Sequence, residues 1–239
     1  MRIAIVSDIH GNRTAFEAVL EDLRQTAPDL ILHGGDLAAS GASPAEIVDV
    51  IRDLGWQGVA GNVDEMLWAP ESLTEFANHA PQLQPMWDAI REIADATCEA
   101  LGEERLAWLR ALPRIQIRAS MALVHASPES LWRAPAPEAS DAELESVYGP
   151  LGRPVAIYAH IHRSYIRSVS GMIVANTGSV SLSYDGDRRA AYLLLEDSKP
   201  TIRRVEYDLD KELTILSGCG LPHADWIARI LDSASAQMP

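Results

Sequence analysis

Asp8 and His10 stand two residues apart after an apolar run, and His160 and His162 repeat that spacing far along the chain. Between them lie Gly35-Asp36, Gly61-Asn62-Val63-Asp64, and His125 following Leu123-Val124. Carboxylate, amide and imidazole without thiolate form a hard-to-borderline donor set, which suits Mn, Fe, Zn, Co or Ni rather than an iron–sulfur cluster. Alternate residues at a strand end approach one ion from one side. With 17 Asp and 7 His in 239 residues, chance supplies about 0.5 Asp-x-His and about 0.2 His-x-His spacings, so each motif alone says little. Their shared placement says more. Each stands where an apolar strand run stops, and the carboxyl ends of strands are where open α/β sheets bind ligands.

The elements that must position these residues follow from hydrophobic periodicity. Ile3 to Val6 reads as a buried strand, and Arg13 to Gln25 carries Phe16, Val19, Leu20 and Leu23 at helical spacing. Leu30 to Leu32 and Gln57 to Ala60 are predicted strands, separated by a helix from Pro44 to Leu54 with Ser43 as its N-cap. The β-α-β-α-β order implies a parallel sheet with right-handed crossovers. Asp64 to Leu112 breaks this rhythm: it is helix-rich, carries Trp68, Phe76, Trp87 and Trp108, and is punctuated by Pro70, Pro81 and Pro85. It is predicted as a helical insertion, its first part, to about Trp87, capping the site.

Strands are predicted in the second half at Ile115 to Arg118, Ala122 to His125, Val155 to His160, Ile166 to Val169, Ile173 to Asn176 and Tyr192 to Leu195. A short helix is predicted from Asp141 to Val147 and a surface helix from Trp226 to Leu231. The fold class is therefore α/β: two mixed β-sheets packed face to face as a sandwich flanked by helices (α-β-β-α layers), with a helical insertion. Residues 1–239 are read as one domain, with the insertion at about 64–112.

Composition narrows the function classes. Lys and Arg number 20 against 34 Asp and Glu, a net charge of −14. A surface of that sign does not displace counterions from a nucleic-acid duplex or bind an anionic membrane. Hydrophobic residues at 47% exclude disorder. Cys98 and Cys219 are the only cysteines and form no CxxC pair, which excludes a disulfide scaffold and a zinc ribbon. No apolar run approaches the roughly 18–20 residues of a membrane span. Met1 to Asp8 reads as a first strand rather than a signal peptide. A cytoplasmic location is expected, and a homo-oligomer is compatible with the sequence.

The ordered set Asp8-x-His10, Gly35-Asp36, Gly61-Asn62-Val63-Asp64, Val124-His125-Ala126 and Ala159-His160-Ile161-His162 resembles the calcineurin-like metallophosphoesterase superfamily. The resemblance runs from Met1 to about Glu196, and Ser7 to Asn12 with Asn176 to Val180 look like its small bacterial and archaeal phosphodiesterase-type branch. It implies two divalent or mixed-valence transition-metal ions. One would take Asp8, His10, Asp36 and His162; the other would take Asp36, Asn62, His125 and His160, with Asp36 bridging. Asp36, Asn62 and His125 are then the catalytic positions. Two divalent ions against two carboxylates leave about +2 for a hydroxide and a phosphate ester.

The implied reaction is hydrolysis of a small phosphodiester or phosphomonoester by attack of a metal-bridging hydroxide. A phosphoprotein phosphatase or a dinucleoside polyphosphate hydrolase is the enzymatic alternative, and a scaffold with a vestigial metal site the non-enzymatic one. Val63 stands where many members have a His that protonates the leaving oxygen, so the general acid is unassigned. Ala126, Ala159 and Ile161 also depart from the family pattern without touching the ligand positions. Asn12 and Arg163 are the substrate-binding candidates, Asn12 with helix capping and Arg163 with a surface ion pair as the competing roles.

Overall fold

The computed structural model describes residues 1–118 and 120–239. In its first third, β1 (Arg2–Val6), α1 (Arg13–Thr26), β2 (Leu30–His33), α2 (Pro44–Asp53) and β3 (Gln57–Gly58) alternate as predicted. The strands β1, β2 and β3 are parallel. Then come α3 (Asn62–Trp68), α4 (Pro70–Ala77), a 3₁₀ turn at Pro81–Leu83 and the long α5 (Gln84–Arg110). Gly102 takes φ 67° inside α5 and kinks it. The second half holds β4 (Ile115–Ile117), β5 (Met121–Val124), α6 (Asp141–Tyr148), β6 (Val155–Tyr158), β7 (Tyr165–Val169) and β8 (Met172–Asn176). It continues with β9 (Ala190–Glu196), β10 (Lys199–Val205), α7 (Leu209–Gly218) and α8 (Ala224–Ser233).

Among the described residues the strands form two mixed five-stranded sheets, ordered β10-β9-β1-β2-β3 and β4-β5-β6-β8-β7. Strand periodicity divides their side chains into layers. Ile3, Ile5, Leu193 and Leu195 of the first sheet meet Met121, Leu123, Val155 and Ile157 of the second in a core between the sheets. Ala4, Val6, Tyr192 and Leu194 point the other way, toward the helices that cover the first sheet. Val124, Ala156 and Tyr158 likewise face Leu144 and Tyr148 of α6. Fully burying each Ile, Leu, Val or Met among them contributes about 1.5–3 kcal/mol. Four layers result, as the sequence predicts.

Two elements escape the sequence reading and one is misread. β10 is an edge strand whose run carries Lys199, Arg203 and Arg204, so it shows no apolar alternation, yet it pairs along its whole length with β9. α7 is capped by Asp208, whose side chain accepts from Lys211 N, but buries only Glu212 and Leu216, too thin a stripe to read. α8, expected on the surface, instead buries Trp226, Ile227, Ile230 and Leu231. Its apolar face joins the same core as the insertion.

Candidate metal centre

The loops that follow β1, β2, β5 and β6 converge, and their backbone holds them together before any side chain is considered. Asp8 N–H donates to Gly35 O at 3.0 Å, His10 N–H to Asp36 O at 3.0 Å, and Ala159 N–H to His125 O at 2.8 Å. Asp8, His10, Asp36, His160 and His162 all have positive φ, from 49° to 68°. Non-glycine residues seldom accept that conformation, which costs of order 1–3 kcal/mol each and persists only where the surroundings over-determine it. Here strain and candidate ligands coincide. Gly61 is obligatory, because a Cβ there would collide with Asp36 Oδ1.

Six of the seven predicted ligands are buried: Asp8, His10, Asp36, Asn62, His125 and His162; His160 is half-buried. Asp8, His10, Asp36 and His162 offer ligand atoms that lie within 4.8 Å of one another. Asn62 Oδ1 lies 2.9 Å from His125 Nε2 and 2.8 Å from His160 Nδ1. Asp36 Oδ2 stands between the two groups, 3.8 Å from His10 Nε2 and 3.4 Å from His125 Nε2. The structure thus brings all seven residues together.

The donor chemistry fits a cation. His10, His125 and His162 each turn Nδ1 to a backbone carbonyl, of Ala39, Gly34 and Leu182 at 3.0, 2.8 and 2.5 Å. A carbonyl only accepts, so Nδ1 carries the hydrogen and Nε2 is the lone-pair atom of the neutral ring. His10 Nε2 and His162 Nε2 then face each other at 3.3 Å. Two lone pairs at that distance repel unless a cation or a proton lies between them. Asp8 Oδ2 is buried with no hydrogen-bond partner, an orphan that a cation would satisfy.

The electrostatics agree. Burial opposes ionisation of Asp36, but the His125, His10 and His160 rings outweigh it and hold the carboxyl below its ordinary range. Burial lowers His125, yet Asp36 and then Asp8 lift it to about 9. Burial and the charge on His125 push His160 down to about 4. Without a metal, the cluster draws protons onto the rings nearest its carboxylates, where a cation would otherwise serve.

Several further residues support the ligands. Asp64, the third residue of α3, accepts from the N–H groups of Asp36, Leu37 and Gly61 at 2.8, 3.0 and 3.0 Å. It anchors the Asp36 loop to the start of the helix that carries Asn62. Burial and the Asp36 charge push Asp64 up to about 6, while Leu37 and Gly61 pull the other way. Its signal was the Gly-x-x-Asp pattern of a helix start. Ser179 Oγ donates to Asp8 O at 2.9 Å, and Asn176 Nδ2 to Ala159 O at 2.6 Å, so the Asn176–Ser179 turn braces two ligand loops. Tyr184 stacks on His162, with ring centroids 4.8 Å apart. No local pattern marks it.

Asn12 lies buried with both polar atoms engaged: Oδ1 accepts from Ala15 N–H at 2.9 Å, capping α1, and Nδ2 donates to Ser181 Oγ at 3.2 Å. Arg163 is half exposed and pairs with Glu138 at 3.7 Å. His33 is fully buried, and neither ring nitrogen has a partner. Burial pushes it down to about 3, which keeps it neutral.

Above the cluster opens a cavity of about 210 Å³. His10, Asp36, Asn62, His160 and His162 form part of its floor, and Val63 borders it. Phe76, Trp87, Trp132 and Trp226 contribute to its walls, and Ser40 and Tyr184 also line it. Trp87 of the insertion is thus both buried and cavity-lining.

The calcineurin-like phosphoesterase superfamily domain matches residues 1–199, and the chain belongs to that family. It is 30% identical over 252 residues to the uncharacterized protein MJ0912 of Methanocaldococcus jannaschii, covering 96% of each chain. A symmetrical bis(5'-nucleosyl)-tetraphosphatase of Methylococcus capsulatus is 31% identical over 150 residues, 62% of this chain and 50% of that one. Among solved structures, a metallophosphoesterase from Sphaerobacter thermophilus superposes with a TM-score of 0.77 at 26% identity, covering 98% of this chain and 99% of the other. α8 lies beyond the matched residues. Among the described residues no helix is long and apolar enough to cross a membrane.

Proposed function

We propose that this calcineurin-like phosphoesterase hydrolyses a small phosphodiester or phosphomonoester at a site for two transition-metal ions, drawn from Mn, Fe, Zn, Co or Ni. The observation that carries the reading is the position of Asp36 Oδ2 between two sets of inward-facing donors, with the lone pairs of His10 and His162 opposed at 3.3 Å. Asp8, His10, Asp36 and His162 would hold one ion; Asp36, Asn62, His125 and His160 would hold the other. Bound there, the ions supply Lewis acidity, lowering the pKa of water and neutralising phosphoryl charge.

The chain's own residues supply positioning. Val63 N–H donates to Asp36 Oδ1 at 2.8 Å, which fixes the carboxylate so that Oδ2 faces the cluster. Backbone carbonyls fix three rings in the tautomer a ligand needs. Ser40 and Tyr184 line the same cavity, and each carries a hydroxyl that could donate to a phosphoryl oxygen. Burial, with Asp8 and Asp36, pushes the Tyr184 phenol up to about 12, so it stays protonated at neutral pH. Phosphoryl transfer needs positioning and electrostatics above all, and no side-chain nucleophile. The Val63 side chain also borders the cavity but has no proton to give, so leaving groups that depart as anions are favoured.

The segment from Asp64 to about Trp87 acts in this reading as a cap that admits small substrates; Met66, Phe76 and Trp87 on the cavity wall support it. The test is metal analysis of the purified protein followed by Mn-dependent hydrolysis of bis(nitrophenyl) phosphate beside nitrophenyl phosphate. Bound metal with turnover of either ester supports the reading. Bound metal without turnover, or no metal uptake at all, favours a scaffold.

A further inference from the structure

The cavity joins a polar floor to a wall of one chemistry. Three tryptophans on that wall have their only polar atom tied away from it: Trp87 Nε1 donates to Ala80 O at 2.9 Å, Trp132 Nε1 to Glu65 Oε2 at 2.8 Å, and Trp226 Nε1 to Gln237 O at 2.8 Å. What they leave for a ligand is carbon. Phe76 joins them, edge-on to Trp87 at 5.8 Å and tilted against Trp132 at 5.1 Å between centroids. Ile227 and Ile230 of α8 complete the patch. Its members come from the insertion, from the loop after β5 and from a helix outside the matched family domain, so three separate segments build one apolar wall.

No Lys or Arg is among the described residues that line the cavity. A second phosphate, or a carboxylate, carried on the substrate would enter without a cation of the chain to meet it, and an unpaired anion against carbon pays a large desolvation cost. A flat apolar group meets a surface already ordered by packing and by anchored indoles, so little freedom is lost on binding.

Building on the proposed phosphoester reading, we infer that the cavity selects esters with a single phosphoryl group and an aromatic, uncharged arm, the phosphoryl lying over the His and Asp floor and the arm lying among Phe76, Trp87, Trp132 and Trp226. Polyphosphate chains and phosphopeptides are then poor ligands. Substrates of the kind named for the Methylococcus capsulatus relative fall in the disfavoured class.

Two measurements on the intact Mn-loaded protein test this. Calorimetry compares phenylphosphonate, methylphosphonate and 3-phosphonopropionate, none of which is turned over. Kinetics compares phenyl nitrophenyl phosphate with methyl nitrophenyl phosphate, which share a leaving group, and with diadenosine tetraphosphate. Phenylphosphonate should bind at least about tenfold more tightly than the other two, a 1.4 kcal/mol preference. The phenyl ester should lead in kcat/KM by a similar factor, with diadenosine tetraphosphate behind both. Phe76→Ala and Trp132→Leu, at half-buried positions whose loss the fold should survive, should reduce the phenyl preference to within about twofold while metal content stays at the wild-type level. Equal affinities for the three phosphonates, or a faster rate on diadenosine tetraphosphate, overturn the inference even if esters are hydrolysed. If no ester turns over, the phosphoesterase reading fails, and the phosphonate affinities still decide what the cavity prefers.

Discussion

The floor and the wall of one cavity are built by opposite means. The floor is charged, buried and strained: five of its seven candidate ligands sit at positive φ, held by backbone hydrogen bonds between loops from both sheets. The wall is apolar and relaxed, made of helices and the loop after β5, whose side chains pack into or against the main core. In the floor, no other side chain has the same donor atoms at the same reach, so identity is fixed. In the wall, many large apolar side chains fill space equally well, so only size and polarity are constrained. The difference predicts that floor substitutions abolish function with the fold intact, while wall substitutions redistribute preference.

The largest effect should come from Asp36, whose Oδ2 faces both donor sets. Asp36→Asn keeps the shape and removes the charge. It should lower the Mn-dependent rate at least about 100-fold, some 2.7 kcal/mol in barrier. Retention of more than about a tenth of the wild-type rate breaks the bridging position. Metal analysis beside the rate shows whether one ion or both are lost.

Asp64 sharpens the contrast, because it is anionic and buried yet turned away from the cluster, toward three N–H groups. Asp64→Ala would leave those donors unsatisfied, each costing about 1–3 kcal/mol. Mn affinity, measured by calorimetry, should fall about 10–100-fold, as for other residues that orient metal ligands. The denaturation midpoint should fall with it. Unchanged affinity with lowered stability would make Asp64 a purely structural cap of α3.

How much of this was legible in the sequence follows the same division. All seven floor positions could be read, because their ordered motifs at strand ends together resemble a known family's metal site. What could not be read was their φ: nothing in Asp8-Ile9-His10 announces a left-handed backbone, which is imposed by the neighbouring Gly35–Leu37 loop. Asp64 was visible inside a motif but not its role, which depends on a loop 27 residues earlier. The sandwich was legible because its central strands are continuous apolar runs buried on both faces; β10 was not, because an edge strand faces solvent and can carry arginines. The burial of α8 was missed for a related reason. Its stripe of Trp226, Ile227, Ile230 and Leu231 was visible, but whether such a stripe covers a sheet, a partner or a cavity is decided by residues far away in sequence.

Val63 lies at the border of floor and wall, and a substitution there moves it from one to the other. Wild-type rates should fall steeply as the leaving-group pKa rises from nitrophenol toward alkyl alcohols, because the side chain at this position cannot donate a proton. Val63→His should flatten that dependence, raising alkyl ester hydrolysis about tenfold and changing nitrophenyl ester hydrolysis by less than about threefold. A flat dependence in the wild type would mean that another group already donates, with Tyr184 and Ser40, which line the cavity, as the candidates.

The smallest effect on a small substrate should come from the roof itself. α4 and the turn after it stand between Asp64, which must stay, and Trp87, whose indole is tied to Ala80 O. Replacing Pro70–Asn78 with a short Gly-Ser linker removes Phe76 from the cavity and Leu73 and Ala77 from the core, but no candidate ligand. Methyl nitrophenyl phosphate should then be hydrolysed within about threefold of the wild-type rate, since the roof holds no candidate ligand and Trp87, Trp132 and Trp226 remain on the wall. A phosphopeptide should gain at least about tenfold, because removing the roof lifts the steric part of its exclusion. The loss of two buried apolar side chains should lower the melting temperature, so both rates are taken below the variant's transition. If neither substrate responds, or if the variant loses its wild-type oligomeric state by sedimentation, α4 covers a sheet edge or a partner copy. In that case, the wall at Trp132 and α8 alone limits what reaches the floor.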